Sequence, residues 1–167
     1  MTYHSRPLLA LALAAAMAPA SAAAPLQVTR PDITLEGAMR LLEATMEACH
    51  AGGKTLAAAV VDRSGNLVAL QRDDNVGPHN TLAAQRKAYT ALSTKSATGT
   101  LADNARANTP TNNLNTVSEL LLLGGGVPVS AGTAIIGAIG VAGAGGPGID
   151  ESCALSAIAR VFPPRSN

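Results

Sequence analysis

Aromatic residues are nearly absent from this chain of 167 residues, which has one Phe, two Tyr and no Trp. Its core must be assembled from Leu, Ile, Val, Ala and Met, and few side chains can stack on a flat ligand. Clusters of one charge are missing as well. Twelve Lys and Arg against eleven Asp and Glu leave a net charge of +1. With no basic patch the chain lacks the field that binding to nucleic acid needs, and that partner is set aside. Long hydrophobic runs are also lacking: the apolar stretch from Leu8 to Ala18 falls well short of the ~20 residues a membrane-crossing helix requires.

The scarcity extends to reactive side chains. Three His and two Cys occur, with no His-x-x-x-His or Cys-x-x-Cys spacing, so a structural zinc site is not expected. No Gly-x-Ser-x-Gly elbow marks a nucleophile. The adjacent acids Asp73-Asp74 and Asp150-Glu151 cannot face each other on a helix, so neither pair is assigned acid/base work. The glycine-rich stretch from Gly137 to Gly146 lacks the Gly-Lys-Ser/Thr of a phosphate loop. It also follows a hairpin strand near the chain's end, where the dinucleotide fingerprint cannot be completed. Glycines in such a strand instead admit close approach of another backbone or a flat ligand.

What is present begins with an export signal. Arg6, the short apolar run and Ala20-Ser21-Ala22 fit a cleavable signal peptide over residues 1–22. The mature chain would then start near Ala23, in the periplasm or outside the cell, with no transmembrane span. Residues 23–32 read as a tether containing Pro25 and Pro31, residues 33–162 as one domain, and residues 163–167 as a tail. Export would place Cys49 and Cys153 where a disulfide can persist. Two buried free thiols are the alternative.

Thr34 is a suitable N-cap for a first helix, with Glu36 in its first turn and Leu35, Met39, Leu42, Met46 and Cys49 at helical spacing. Gly52-Gly53 ends it. Thr55 to Asp62 and Leu67 to Arg72 read as two strands about the turn Arg63-Ser64-Gly65-Asn66. A second helix is expected over about Asn80 to Thr94, with Leu82, Tyr89 and Leu92 on its inner face. Residues 95–118 are polar and irregular, with a short helix near Leu101 to Ala107, and suit a binding loop or lid. A second hairpin around Ser130-Ala131-Gly132 follows, then a last helix from about Asp150 to Val161. The fold expected is a single layered α/β (α+β) domain: one antiparallel sheet from two hairpins, covered by helices.

One His, Tyr, Met or Cys suffices as an axial ligand to an iron porphyrin. His79, in a loop just before the second helix, is the candidate, and it is also the candidate metal ligand. Tyr89 is the fallback. Arg86 and Lys87, about two helical turns beyond His79, could meet carboxylates of the same ligand by charge-assisted hydrogen bonds.

Several segments together resemble the HbpS/GlcG family, which includes the C-terminal domain of PduO-type proteins. They are Leu35-Glu36-Gly37-Ala38, Ala59 to Val68, Lys87-Ala88-Tyr89-Thr90-Ala91, Gly124 to Val129, Gly137 to Val141, and Asp150-Glu151. The resemblance spans about Ile33 to Val161 and departs in the Asn/Thr/Ala-rich insert around residues 96–118. It implies a layered antiparallel-sheet domain, homo-oligomers, haem binding in several members, haem degradation, and redox sensing outside the cell in some. The expectation is therefore an exported haem-binding protein engaged in haem handling or redox sensing, with haem or another flat small molecule as its ligand. The alternatives are an enzyme using the same pocket on a small metabolite without haem, and an oligomeric interaction or sensory module.

Overall fold

In the computed structural model, which describes Met1 and residues 25–163, two hairpins merge into one antiparallel sheet. Strands β1 (Ala57–Asp62) and β2 (Leu67–Arg72) form the first hairpin, and β3 (Gly126–Ala131) and β4 (Ala134–Ala142) the second. The hairpins join through β1 and β4, in the register Ala57 opposite Ala142 and Val60 opposite Ile139, giving the order β2-β1-β4-β3. The expected layered α+β domain is the one observed. Beyond Met1 the expected signal segment lies outside the described residues, as does the expected tail from residue 164. Among the described residues no helix is long and apolar enough to cross a membrane.

The period-two alternation of the strands separates two cores. Ala58, Val60, Val129, Ile139 and Val141 face helices α1 (Leu35–His50) and α5 (Pro147–Val161), where Leu41, Leu42 and Ala154 pack against them. Ala57, Ala59, Val61 and Ala138 face helix α2 (His79–Thr94), which meets them chiefly with Ala84, Ala88 and Ala91. Small residues on both sides let α2 lie close to the sheet. A Cβ on Gly140 would fall 2.0 Å from the Ala84 carbonyl oxygen and 2.5 Å from the Ala88 nitrogen, so glycine is obligatory there. The glycines of β4 thus admit a backbone rather than a phosphate.

Thr34 caps α1 as expected, its hydroxyl accepting the Gly37 N–H at 3.0 Å. The inward stripe is rotated from the expected one: Ala38, Leu41, Leu42, Thr45 and Cys49 are buried, whereas Leu35 is exposed. Helix α5 starts three residues earlier than expected, with Pro147 in its first turn, where the missing N–H costs nothing. Cys49 and Cys153 are joined in a disulfide that ties the C-terminal end of α1 to α5.

The stretch after α2 is more regular than its composition indicates. Helix α3 (Thr98–Ala107) is followed by the short turns α4 (Thr109–Asn112) and a 3-10 turn over Asn113–Thr116. Ala97 provides no side-chain cap for α3. Glu151 of α5 supplies an acceptor instead, taking the Gly99 N–H at 3.1 Å, and the Thr98 hydroxyl donates to Leu123 O at 2.7 Å. These partners are distant in sequence, which hides the first turn of the helix, before the expected Leu101, from a local reading.

Candidate functional site

The β1–β2 turn is built by Asp62. Its carboxylate accepts the N–H groups of Ser64 and Asn66, both at 2.8 Å, and the Asn66 side-chain amide at 3.0 Å. Burial alone would raise the Asp62 carboxyl. The hydrogen bonds from the Asn66 side chain and from the Asn66, Ser64 and Gly65 backbones outweigh it and hold the group below its ordinary value of 3.8. The turn leaves Gly65 at φ +88°, and a Cβ there would lie 2.8 Å from Cε2 of Tyr89. The Tyr89 ring therefore rests directly on the backbone of the turn.

Around that ring lies a groove of about 550 Å³ between α2 and the first hairpin. Val61, Leu67 and Leu82 give it apolar walls, while Gln85, Arg86, Ser118 and Glu119 form its polar rim. Leu82, Gln85, Arg86 and Tyr89 stand at i, i+3, i+4 and i+7 and share one face of α2. This spacing was available in the sequence. Two residues of the expected inner face were misassigned: Leu82 is 59% and Tyr89 37% exposed, because the sheet accepts the alanine face, while Leu92 packs against the core as expected. A comparable cleft of about 510 Å³ separates α3 from α5, but its charged side chains are engaged: Glu151 by backbone amides, Arg106 by Asp103.

The four sequence candidates separate. Tyr89 lies in the groove. Arg86 lines it, but its guanidinium donates to Ser118 O at 2.7 Å and Leu120 O at 2.5 Å, strapping the segment after α4 onto α2. Its Nε is buried without an acceptor. The Leu121 N–H adds a bond to Thr90 Oγ1 at 2.8 Å, so the wall carrying Glu119 is held at two points. The Glu119 carboxyl sits below its ordinary value, chiefly through its own backbone N–H and then the Ser118 hydroxyl.

Lys87 cannot serve as a ligand's carboxylate partner. It points the other way, into the sheet, with 2% of its surface exposed, and its Nζ donates to Asp150 Oδ2 at 2.7 Å and Val141 O at 2.9 Å. His79 is not in a loop but is the first residue of α2. It is exposed, its ring beside Gly77, and it does not line the groove. The other histidine of the domain, His50, has its Nε2 2.9 Å from Asp73 Oδ2. Among the described residues no group of three or more His, Cys, Asp or Glu could hold a metal ion.

The family model described as haem degrading protein HbpS-like matches residues 33–159. The crystal structure of a double mutant of Streptomyces reticuli HbpS is similar at 36% identity and TM-score 0.76, covering 87% of this chain and 97% of that one. Klebsiella pneumoniae ORFY is similar at 25% identity and TM-score 0.77, covering 87% of this chain and all of the other (100%). A PduOC–haem complex shares the fold at 23% identity and TM-score 0.70, over 77% and 94% of the two chains. The matched segment takes in both hairpins, α2 and the groove, and the chain belongs to the HbpS-like family.

Proposed function

We propose that this is an exported haem-binding protein that takes the porphyrin into the groove between α2 and the first hairpin. The family's description as haem degrading supports the ligand class. The observation that carries the reading is Tyr89: the domain's only tyrosine lies among Val61, Leu67 and Leu82 in a groove of about 550 Å³, a size usual for ligand sites. These residues fit haem. The walls are apolar, and a tyrosine oxygen is an established type of iron ligand. Bound haem would contribute a redox-active iron. Val61, Leu67 and Leu82 would exclude water from it, and Tyr89, rather than His79, would hold its iron.

The Cys49–Cys153 disulfide supports residence in an oxidising compartment, as haem handling or redox sensing outside the cytoplasm requires. Exported protein should show a mature mass beginning near Ala23, and retention of Met1 would contradict export. A core rich in Ala, with a single Phe in the chain, supports a closed homo-oligomer. Sedimentation as a monomer at micromolar concentration would contradict it. The ligand itself is tested by titrating the mature protein with haemin. A saturable shift of the Soret band is expected, and a spectrum that remains that of free haemin would refute the reading.

A further inference from the structure

A second, smaller cavity of about 220 Å³ opens on the other side of the Tyr89 ring. Gly65 and Tyr89 line both cavities, so ring and turn form the partition between them. The two differ in chemistry. The groove is largely apolar, whereas the smaller pocket sets Arg63, Lys95, Ser64 and Ser93 beside Leu92 and Ile135, with no carboxylate in its wall.

Neither cation is answered by an acid: among the described residues Arg63 and Lys95 enter no ion pair. Arg63 is nevertheless held in place. One guanidinium nitrogen, Nη1, donates to Ile135 O at 2.6 Å, and the Arg63 backbone N–H is taken by Asp32 Oδ1 at 2.9 Å. The nearby Asp62 carboxylate is occupied by the turn amides and by Asn66. A guanidinium anchored through one nitrogen keeps other N–H donors for a carboxylate. Lys95 closes α2 in the left-handed conformation, at φ 54°, six residues past Tyr89, or about 9 Å along the axis. A ligand whose apolar body fills the groove would thus have its acidic substituents within reach of a basic pocket around the edge of the Tyr89 ring.

We propose that Arg63 and Lys95 form the carboxylate subsite of this groove, and that its ligand is an apolar molecule bearing carboxylates, which in haem are the two propionates. The subsite takes over the role expected of Arg86 and Lys87, whose cationic groups are turned to backbone carbonyls and Asp150. This inference rests on the haem reading of the groove.

The test compares haemin with its dimethyl ester, which keeps the porphyrin and the iron but carries no carboxylate. Wild-type mature protein should bind haemin at least tenfold more tightly than the ester. The Arg63→Gln/Lys95→Gln variant should lose at least tenfold in haemin affinity while binding the ester as before, which also shows that its groove is folded. Equal wild-type affinity for the two compounds, or unchanged haemin binding by the variant, would overturn the subsite and leave the groove reading standing. Binding of neither compound by the wild type would overturn both. The wild-type comparison needs no variant, so the test holds whether or not the double substitution folds.

Discussion

The Nζ of Lys87 lies 2.7 Å from Oδ2 of Asp150, and both side chains are buried where α2, β4 and the start of α5 meet. The second Asp150 oxygen accepts the Ala144 N–H at 2.9 Å, and Lys87 also donates to Val141 O. Every partner in this junction is structural.

Breaking the pair from one side leaves a buried charge without compensation. Lys87→Met should lower the unfolding free energy by about 3–5 kcal/mol. Adding Asp150→Asn, which keeps an acceptor for Ala144, should recover most of the loss. Urea denaturation of the single and double variants measures both effects. A single variant as stable as wild type would contradict the burial described.

The disulfide closes a loop across a sequence separation of 104 residues. Cys49→Ala/Cys153→Ala should cost about 2–5 kcal/mol. Thermal unfolding of the wild type with and without a strong thiol reductant should reproduce the same loss.

Tyr89 and Gly65 form the second tight relationship. At φ +88°, with a Cβ only 2.8 Å from the ring, Gly65→Ala meets both backbone strain and a steric clash. It should destabilise by about 1–3 kcal/mol and weaken haemin binding along with it. Unchanged haemin affinity would show that the position of the ring does not matter to the site.

Asp62 makes the first turn sensitive to acid. Its folded-state value is depressed, so its contribution is complete above the ordinary value of 3.8 and disappears as the pH falls through the lower folded value. Asp62→Ala should therefore lose stability at pH 7 and show a flatter decline than wild type below about pH 4. Parallel decline of the two proteins would contradict the hydrogen bonding of the turn.

Local pattern made much of this fold legible. The unbroken apolar run from Leu56 to Val61 marks a strand buried on both faces, and Thr34 marks the start of α1 through a bond three residues away. The errors fall where partners are distant. Glu151 caps α3 from 52 residues away, and Asp150 meets Lys87 across 63. A local reading left α3 an incomplete helix and Lys87 a partner for ligand carboxylates. The site was half legible. The face bearing Leu82, Arg86 and Tyr89 can be read from helical spacing. Which face turns to the sheet depends on the close fit of Ala84 and Ala88 over Gly140, and that is settled only when the hairpins merge.

The central claim, that haem occupies the groove with Tyr89 as its axial residue, is tested most directly by the absorption spectrum of haemin bound to three proteins. Wild type should give a saturable spectrum with tyrosinate character. Tyr89→Phe keeps the ring on Gly65 and removes only the oxygen, so it should shift the Soret band and weaken binding at least tenfold, about 1.4 kcal/mol. His79→Ala should match wild type in both respects. An unaltered spectrum in Tyr89→Phe together with a shifted one in His79→Ala would contradict the account and move the iron to the start of α2.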